Sequence, residues 1–224
     1  MTKRSFGLDT TSLSTEAPLL DSGFYAGELV GAAIENKDHV SFFKIQEEKK
    51  WDKAAKEMVL TGDHTITGML MYSVMLTSKL AIKKLQRDEP RIFGGMIFFR
   101  FDKKTFQMND NPALGQLLKV FDLADTDFNG MVDFEMDDNI EVPTELANVP
   151  DIVTMLNSIE YYKALFTLIV QSINNLPCIA KVIKRPQWDN KEVQENSIDT
   201  GNSGSPFCGV IPYTEGSEND LEEA

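Results

Sequence analysis

Between positions 43 and 104, lysines, arginines and aromatics are interleaved in a way suited to a flexible polyanion that also carries π-faces. The set is Phe43, Lys44, Lys49, Lys50, Trp51, Lys53, Lys56, Tyr72, Lys79, Lys83, Lys84, Arg87, Arg91, Phe99, Arg100, Phe101, Lys103 and Lys104, with Lys184, Arg185 and Trp188 as an outlying group. Cations along such a path release counterions from phosphates. Exposed aromatic faces stack on unpaired bases, each contact contributing roughly 1–3 kcal/mol. Single-stranded nucleic acid needs both effects together. Within the strand-like run 96–102, alternation puts Phe99 and Phe101 on the face of Ile97, and Phe98 with Arg100 on the other. One of those faces must be core, so at most half of these aromatics are binding residues.

Charge is divided along the chain in a way that sharpens this reading. The net charge is −13, yet 37–104 carries 14 basic and 9 acidic residues. The segment 122–160 carries 11 acidic residues and no Lys or Arg. An acidic face there would repel nucleic acid, so a binding groove is expected elsewhere, and a basic partner is the alternative use of that segment. The chain ends in an acidic stretch containing Glu215, Glu218, Asp220, Leu221, Glu222 and Glu223, behind a Gly/Ser-rich spacer. Tethered near a basic groove, such a tail reaches about millimolar effective concentration and competes for the groove.

A second constellation, Asp125, Asp127 and Asn129 followed by Gly130, resembles the start of an EF-hand calcium loop. Met136 occupies the place of the bidentate twelfth ligand and Glu135 falls one residue early, so an Asp/Asn/Gly turn is the expected outcome and no metal is assigned. No phosphate-binding Gly-rich loop, nucleophile elbow or His-Glu-x-x-His motif occurs. His39 and His64 have no Cys companions in zinc spacing, and Cys178 and Cys208 fit no redox motif. The expectation is a non-enzymatic cytoplasmic protein without cofactor, carrying two free thiols. No segment approaches the roughly 20 apolar residues of a membrane span.

The elements that must position these residues are mostly strands. The run 23–35 reads as a long, curved strand relieved by Gly27 and Gly31, 41–46 as a short strand, and 64–76 and 96–102 as two more. Residues 49–56 read as a charged, helix-compatible loop, and 79–91 as a basic helical turn or hairpin arm. Asn111-Pro112 opens a helix carrying Leu114, Leu117, Leu118 and Phe121, and 148–158 gives another, with 161–173 either extending it or starting a strand. A last strand spans 177–184. Residues 1–17 form a flexible arm, 18–198 the folded body with an acidic helical region at 112–173, and 199–224 a loosely ordered linker and tail. The fold class expected is mainly β with helical additions: an OB-fold-like, curved five-stranded barrel with an acidic helical insertion and disordered termini.

This layout resembles that of bacteriophage single-stranded DNA-binding proteins. The resemblance rests on a Gly-interrupted first strand, a basic and aromatic middle, a helix in the barrel connection from Pro112, a last strand and an acidic C-terminal tail. It implies an OB-fold core, coating of unpaired DNA in replication or recombination, and a tail that recruits replication or recombination proteins, with homo-oligomers possible. The tail ends on Glu-Glu-Ala224 without an aromatic or apolar cap, a departure from several such tails. The alternative is a structural or assembly protein in which the acidic region docks a partner and nucleic acid plays no part.

Overall fold

The computed structural model describes residues 18–30, 40–85, 90–187, 190–201 and 206–214. The arm at 1–17, Arg87, Trp188 and the acidic tail at 215–224 lie outside the described residues. Within them the chain is mainly β, and a single antiparallel sheet of seven strands dominates. These are β1 (Gly23–Val30), β2 (Ser41–Asp52), β3 (Glu57–Leu76), β4 (Ile92–Arg100), β5 (Pro177–Pro186), β6 (Gln194–Ile198) and β7 (Val210–Pro212).

The 20-residue β3 organises the sheet. Its residues 67–70 lie between β2 and β4, and its residues 73–75 between β1 and β4, so β1 and β2 share one edge of β3 in succession. On the far side of β1 runs β5, whose outer edge carries β6 and β7. Across the body the order is therefore β4–β3–β1–β5–β6. The curl brings β4 and β6 within 8 Å of each other in Cα positions without hydrogen-bonded pairing. A cleft of ≈ 660 Å³ lies along that seam, lined in part by Arg91, Gly95, Arg185 and Glu195. The sheet is not closed, in contrast to the closed five-stranded barrel expected.

Three other expectations are corrected. Residues 49–52 are not loop but the outer half of β2, forming a two-stranded ribbon with 57–60 beyond a register shift at Glu47/Lys49. The turn between them is closed by Lys56 N donating to Asp52 O at 2.8 Å, and by Asp52 Oδ1 accepting from Ala54 and Ala55 N at 2.7 and 3.1 Å. Both faces of this ribbon meet solvent, so the hydrophobic alternation that marks a half-buried strand is missing from its sequence. Secondly, β6 (Gln194–Ile198) is a strand without an apolar run, because two of its three buried residues, Asn196 and Ser197, are polar, with Asn196 hydrogen-bonded to the Leu20 backbone. Thirdly, the segment expected to be loose after 199 is anchored: Val210 pairs with Ala180, and Cys208 is buried.

Helices fill the long connection from β4 to β5. The helix α2 (Pro112–Val120) starts where predicted, with Asn111 Oδ1 accepting from Ala113 and Leu114 N at 3.0 Å each, and Pro112 in the first turn, where its missing N–H costs nothing. One turn, α3 (Phe128–Met131), precedes α4 (Ile152–Ile173), which settles the 161–173 ambiguity in favour of helix. A basic turn of helix at Lys79–Lys84, here αN, joins β3 to β4. Among the described residues no helix is long and apolar enough to cross a membrane.

The core lies between the concave side of the sheet and α4. Even-numbered residues of β3 (Ile66, Leu70, Tyr72, Val74, Leu76) and odd-numbered residues of β4 (Phe93, Ile97, Phe99) point into it. Phe166 of α4 is fully buried, its ring 4.7 Å from Phe99 and 5.8 Å from Phe43. The Tyr72 ring occupies the space a Cβ at Gly95 would need, and its hydroxyl donates to Cys208 O, tying the C-terminal segment to the core of the sheet. Cys178 and Cys208 are wholly enclosed, and burial pushes the Cys178 thiol up to about 12. In the folded protein neither thiol should react with a chromogenic disulfide reagent at pH 8, and both should react after denaturation. Rapid native labelling of either would contradict the packing.

Candidate nucleic-acid interface

The side of β2, β3 and β4 turned away from α4 carries a two-rung ladder. Phe42 faces Met69, and Met69 faces Phe98, so one rung across three strands is aromatic, thioether, aromatic. In the next rung Lys44 faces Thr67, and Thr67 faces Arg100. Phe42 is 50% exposed and Phe98 56%, unusual for phenylalanines in ordered strands. Strand spacing puts the two rings about 10 Å apart, and the cationic rung lies about 7 Å further along the strands. That offset suits a base on the aromatic rung with its backbone phosphate on the cationic one. Met71, Met96, Met75 and Ile92 continue the surface as a soft apolar strip.

The backbone around the ladder is held. Asn111 Nδ2 donates to Phe98 O at 2.8 Å, and Asn109 N to Arg100 O at 2.9 Å. The cap of α2 thus also fixes the strand that carries Phe98. The acidic segment 122–160 packs on α4, on the opposite side of the sheet, and leaves the ladder open.

The remaining predicted residues separate into three groups. The first is buried. Tyr72 is 1% exposed, and Phe99 and Phe101 are 2% and 4% exposed, so none can stack on a base. Phe43 is half-buried and turned inward against Phe166 and Phe101. The accessible rings on these strands are therefore Phe42 and Phe98, which the sequence set left out, and Trp51, which it named.

The second group is already paired. Lys84 and Lys184 both hold Asp21, at 3.1 and 3.0 Å, and these two ammonium groups, Lys184 first, keep its carboxyl below the usual carboxylate range. Lys103 pairs with Glu48, and Arg185 with Glu195 at 3.0 Å. Arg91 lies half-buried over the Phe93 ring at 5.2 Å. A phosphate could displace exposed carboxylates at little cost, but the local charge is already neutralised.

The third group is exposed and without an ion-pair partner among the described residues: Lys44, Lys49, Lys50, Lys53, Lys56, Lys79, Lys83, Arg100 and Lys104. Lys44 and Arg100 belong to the ladder, while Lys79 and Lys83 lie on αN beyond the far end of β3. Lys49, Lys50, Lys53 and Trp51 lie on the outer ribbon.

The EF-like residues have structural duties. Asp127 caps α3, its Oδ1 accepting from Gly130 N at 3.1 Å, and Asn129 Oδ1 accepts from the Tyr161 hydroxyl at 3.0 Å. Asp125 is exposed, and the described residues contain no grouping of three or more His, Cys, Asp or Glu side chains suited to a metal ion. No family model, no curated protein and no solved structure matches this chain, so the ladder is read on its own chemistry.

Proposed function

We propose that this chain binds single-stranded DNA without sequence preference, as a non-enzymatic coating protein in phage-type replication or recombination. The observation that carries the reading is the ladder: two accessible phenylalanines in one cross-strand rung and, in the next, two exposed cations without an ion-pair partner among the described residues. Stacking needs no particular base, because every base has a π-face, and the cations track the backbone alone. The flanking methionines adapt to purines and pyrimidines alike.

Strand order supports an OB-type body. Taking β1, β3, β4, β5 and β6 as its five strands, the second and third are the neighbours β3 and β4, and the helical connection falls between the third and fourth. In OB folds the face of the second and third strands is the one that binds oligonucleotides, and here those strands carry Met69, Phe98 and Arg100. The acidic tail would compete for the ladder when DNA is absent and recruit replication or recombination proteins when displaced.

The test is anisotropy of a labelled oligo(dT) at two salt concentrations, with duplex DNA as competitor. Binding should weaken steeply with salt and resist the duplex. Arg100→Ala should flatten the plot of log affinity against log salt by about 0.7, the loss of one phosphate contact on a single strand. Absence of oligo(dT) binding by the folded protein at low salt rules the proposal out.

A further inference from the structure

The outer end of the β2–β3 ribbon is separate from the ladder and has a different make-up. Trp51 pairs directly with Met58, and Leu60 lies two residues along on the same face; they are 54%, 53% and 58% exposed. Three large apolar side chains thus stand together on a ribbon that projects beyond the core. Lys49, opposite Leu60, shares their face, Lys50 points to the other face with Val59, and Lys53 and Lys56 lie in the turn, none in an ion pair among the described residues; the exposed Glu57 adjoins Met58. Nearby Asp52 spends its carboxylate closing the turn. Nine residues of strand put Trp51 roughly 30 Å from Phe42. A nucleotide seated on the ladder is therefore out of reach of the ribbon end.

An apolar cluster with Lys49 on its own face and Lys53 and Lys56 at the turn beside it fits a partner that presents apolar surface flanked by anions. In nucleic acid, duplex interiors keep their base faces stacked. Two places offer them: unpaired bases, which the ladder already accommodates one rung at a time, and the last base pair of a duplex, a flat apolar plate with phosphates on both sides. The paired Trp51 and Met58, extended by Leu60, present a broader surface than a single base requires. On the footing of the proposed function, we infer that the ribbon end is a second contact, which stacks on the terminal base pair where a duplex meets the single strand held by the ladder. Lys49, Lys53 and Lys56 then meet phosphates of the duplex strands.

The experiment compares oligo(dT) with a duplex bearing an oligo(dT) tail, using full-length wild type and Trp51→Ala, with a Met58→Ala/Leu60→Ala variant as a second probe of the cluster. Wild type should bind the tailed duplex about tenfold tighter than the oligo(dT) alone. Both variants should lose that preference while changing oligo(dT) affinity less than about twofold. In a Trp188→Phe background, which leaves Trp51 as the sole tryptophan, fluorescence should respond to the tailed duplex. No preference in wild type, a variant that loses affinity for oligo(dT) as much as for the tailed duplex, or a Trp51 response to anionic phospholipid vesicles in place of the tailed duplex overturns the inference. Failure of oligo(dT) binding in wild type removes the proposed function itself, whereas intact oligo(dT) binding with an indifferent Trp51 removes only the junction contact.

Discussion

Replacing both Phe42 and Phe98 with alanine should weaken oligo(dT) binding by more than about 30-fold, and each single variant by about five- to 150-fold. These figures follow from roughly 1–3 kcal/mol per stacked base, with tenfold in affinity for every 1.4 kcal/mol. Thermal stability should scarcely move, because both rings are half or more in solvent and exposed substitutions usually fall within about 0.5 kcal/mol. The split between readouts is what makes the experiment informative. A folded double variant with unchanged affinity would remove the outer face of the sheet as the interface, whatever else the chain binds.

The same substitution at Phe166 should do the reverse. Its ring is fully enclosed and contacts Phe43, Phe99 and Tyr162, so alanine leaves a cavity at the junction of α4 with both β2 and β4. Truncating a buried phenylalanine costs about 3–5 kcal/mol. In a chain of this size that lowers the melting temperature by about 6–20 °C. Scanning calorimetry measures the shift directly. Below the transition, oligo(dT) affinity should stay near wild type, since Phe166 lies on the opposite side of the sheet from Phe42 and Phe98. A shift under about 3 °C would mean that α4 contributes much less to the core than its burial implies.

How far the sequence could be read depends on where the deciding contact lies. The run 96–102 divides its residues into two faces by alternation alone, but which face is inside is decided by α4, more than fifty residues later. Only the packing of Phe166 against Phe99 makes the odd-numbered face core. In β3 the answer was closer to hand. Its even positions carry Ile66, Leu70, Val74 and Leu76, while the odd ones include Thr65, Thr67 and Ser73, and that contrast already places Tyr72 inside. The start of helix α2 was legible to the residue because its cap, Asn111-Pro112, is local chemistry. The outer ribbon was not, because a strand pair solvated on both faces shows no hydrophobic period, and β6 was not, because polar Asn196 and Ser197 hold two of its three buried positions. The charge count drew attention to the stretch of chain that holds Lys44 and Arg100. It could not foresee that Lys84, Lys103, Lys184 and Arg185 would already be paired with carboxylates distant in sequence or on a neighbouring strand.

Phe98 and Phe99 are chain neighbours that face opposite worlds, and the same is true of Phe42 and Phe43. Aromatic content alone therefore leaves the pairing of these strands open to a one-residue slip, which would exchange one phenylalanine for another on each face. The charged rung breaks that near-degeneracy. A slipped β4 would carry Arg100 into the core, and a slipped β2 would carry Lys44 there, each at several kcal/mol for a buried charge without a partner. Lys44 and Arg100 thus act as sentinels of strand alignment before any ligand arrives. Uncharged replacements at these positions should be judged for folding fidelity as well as for affinity.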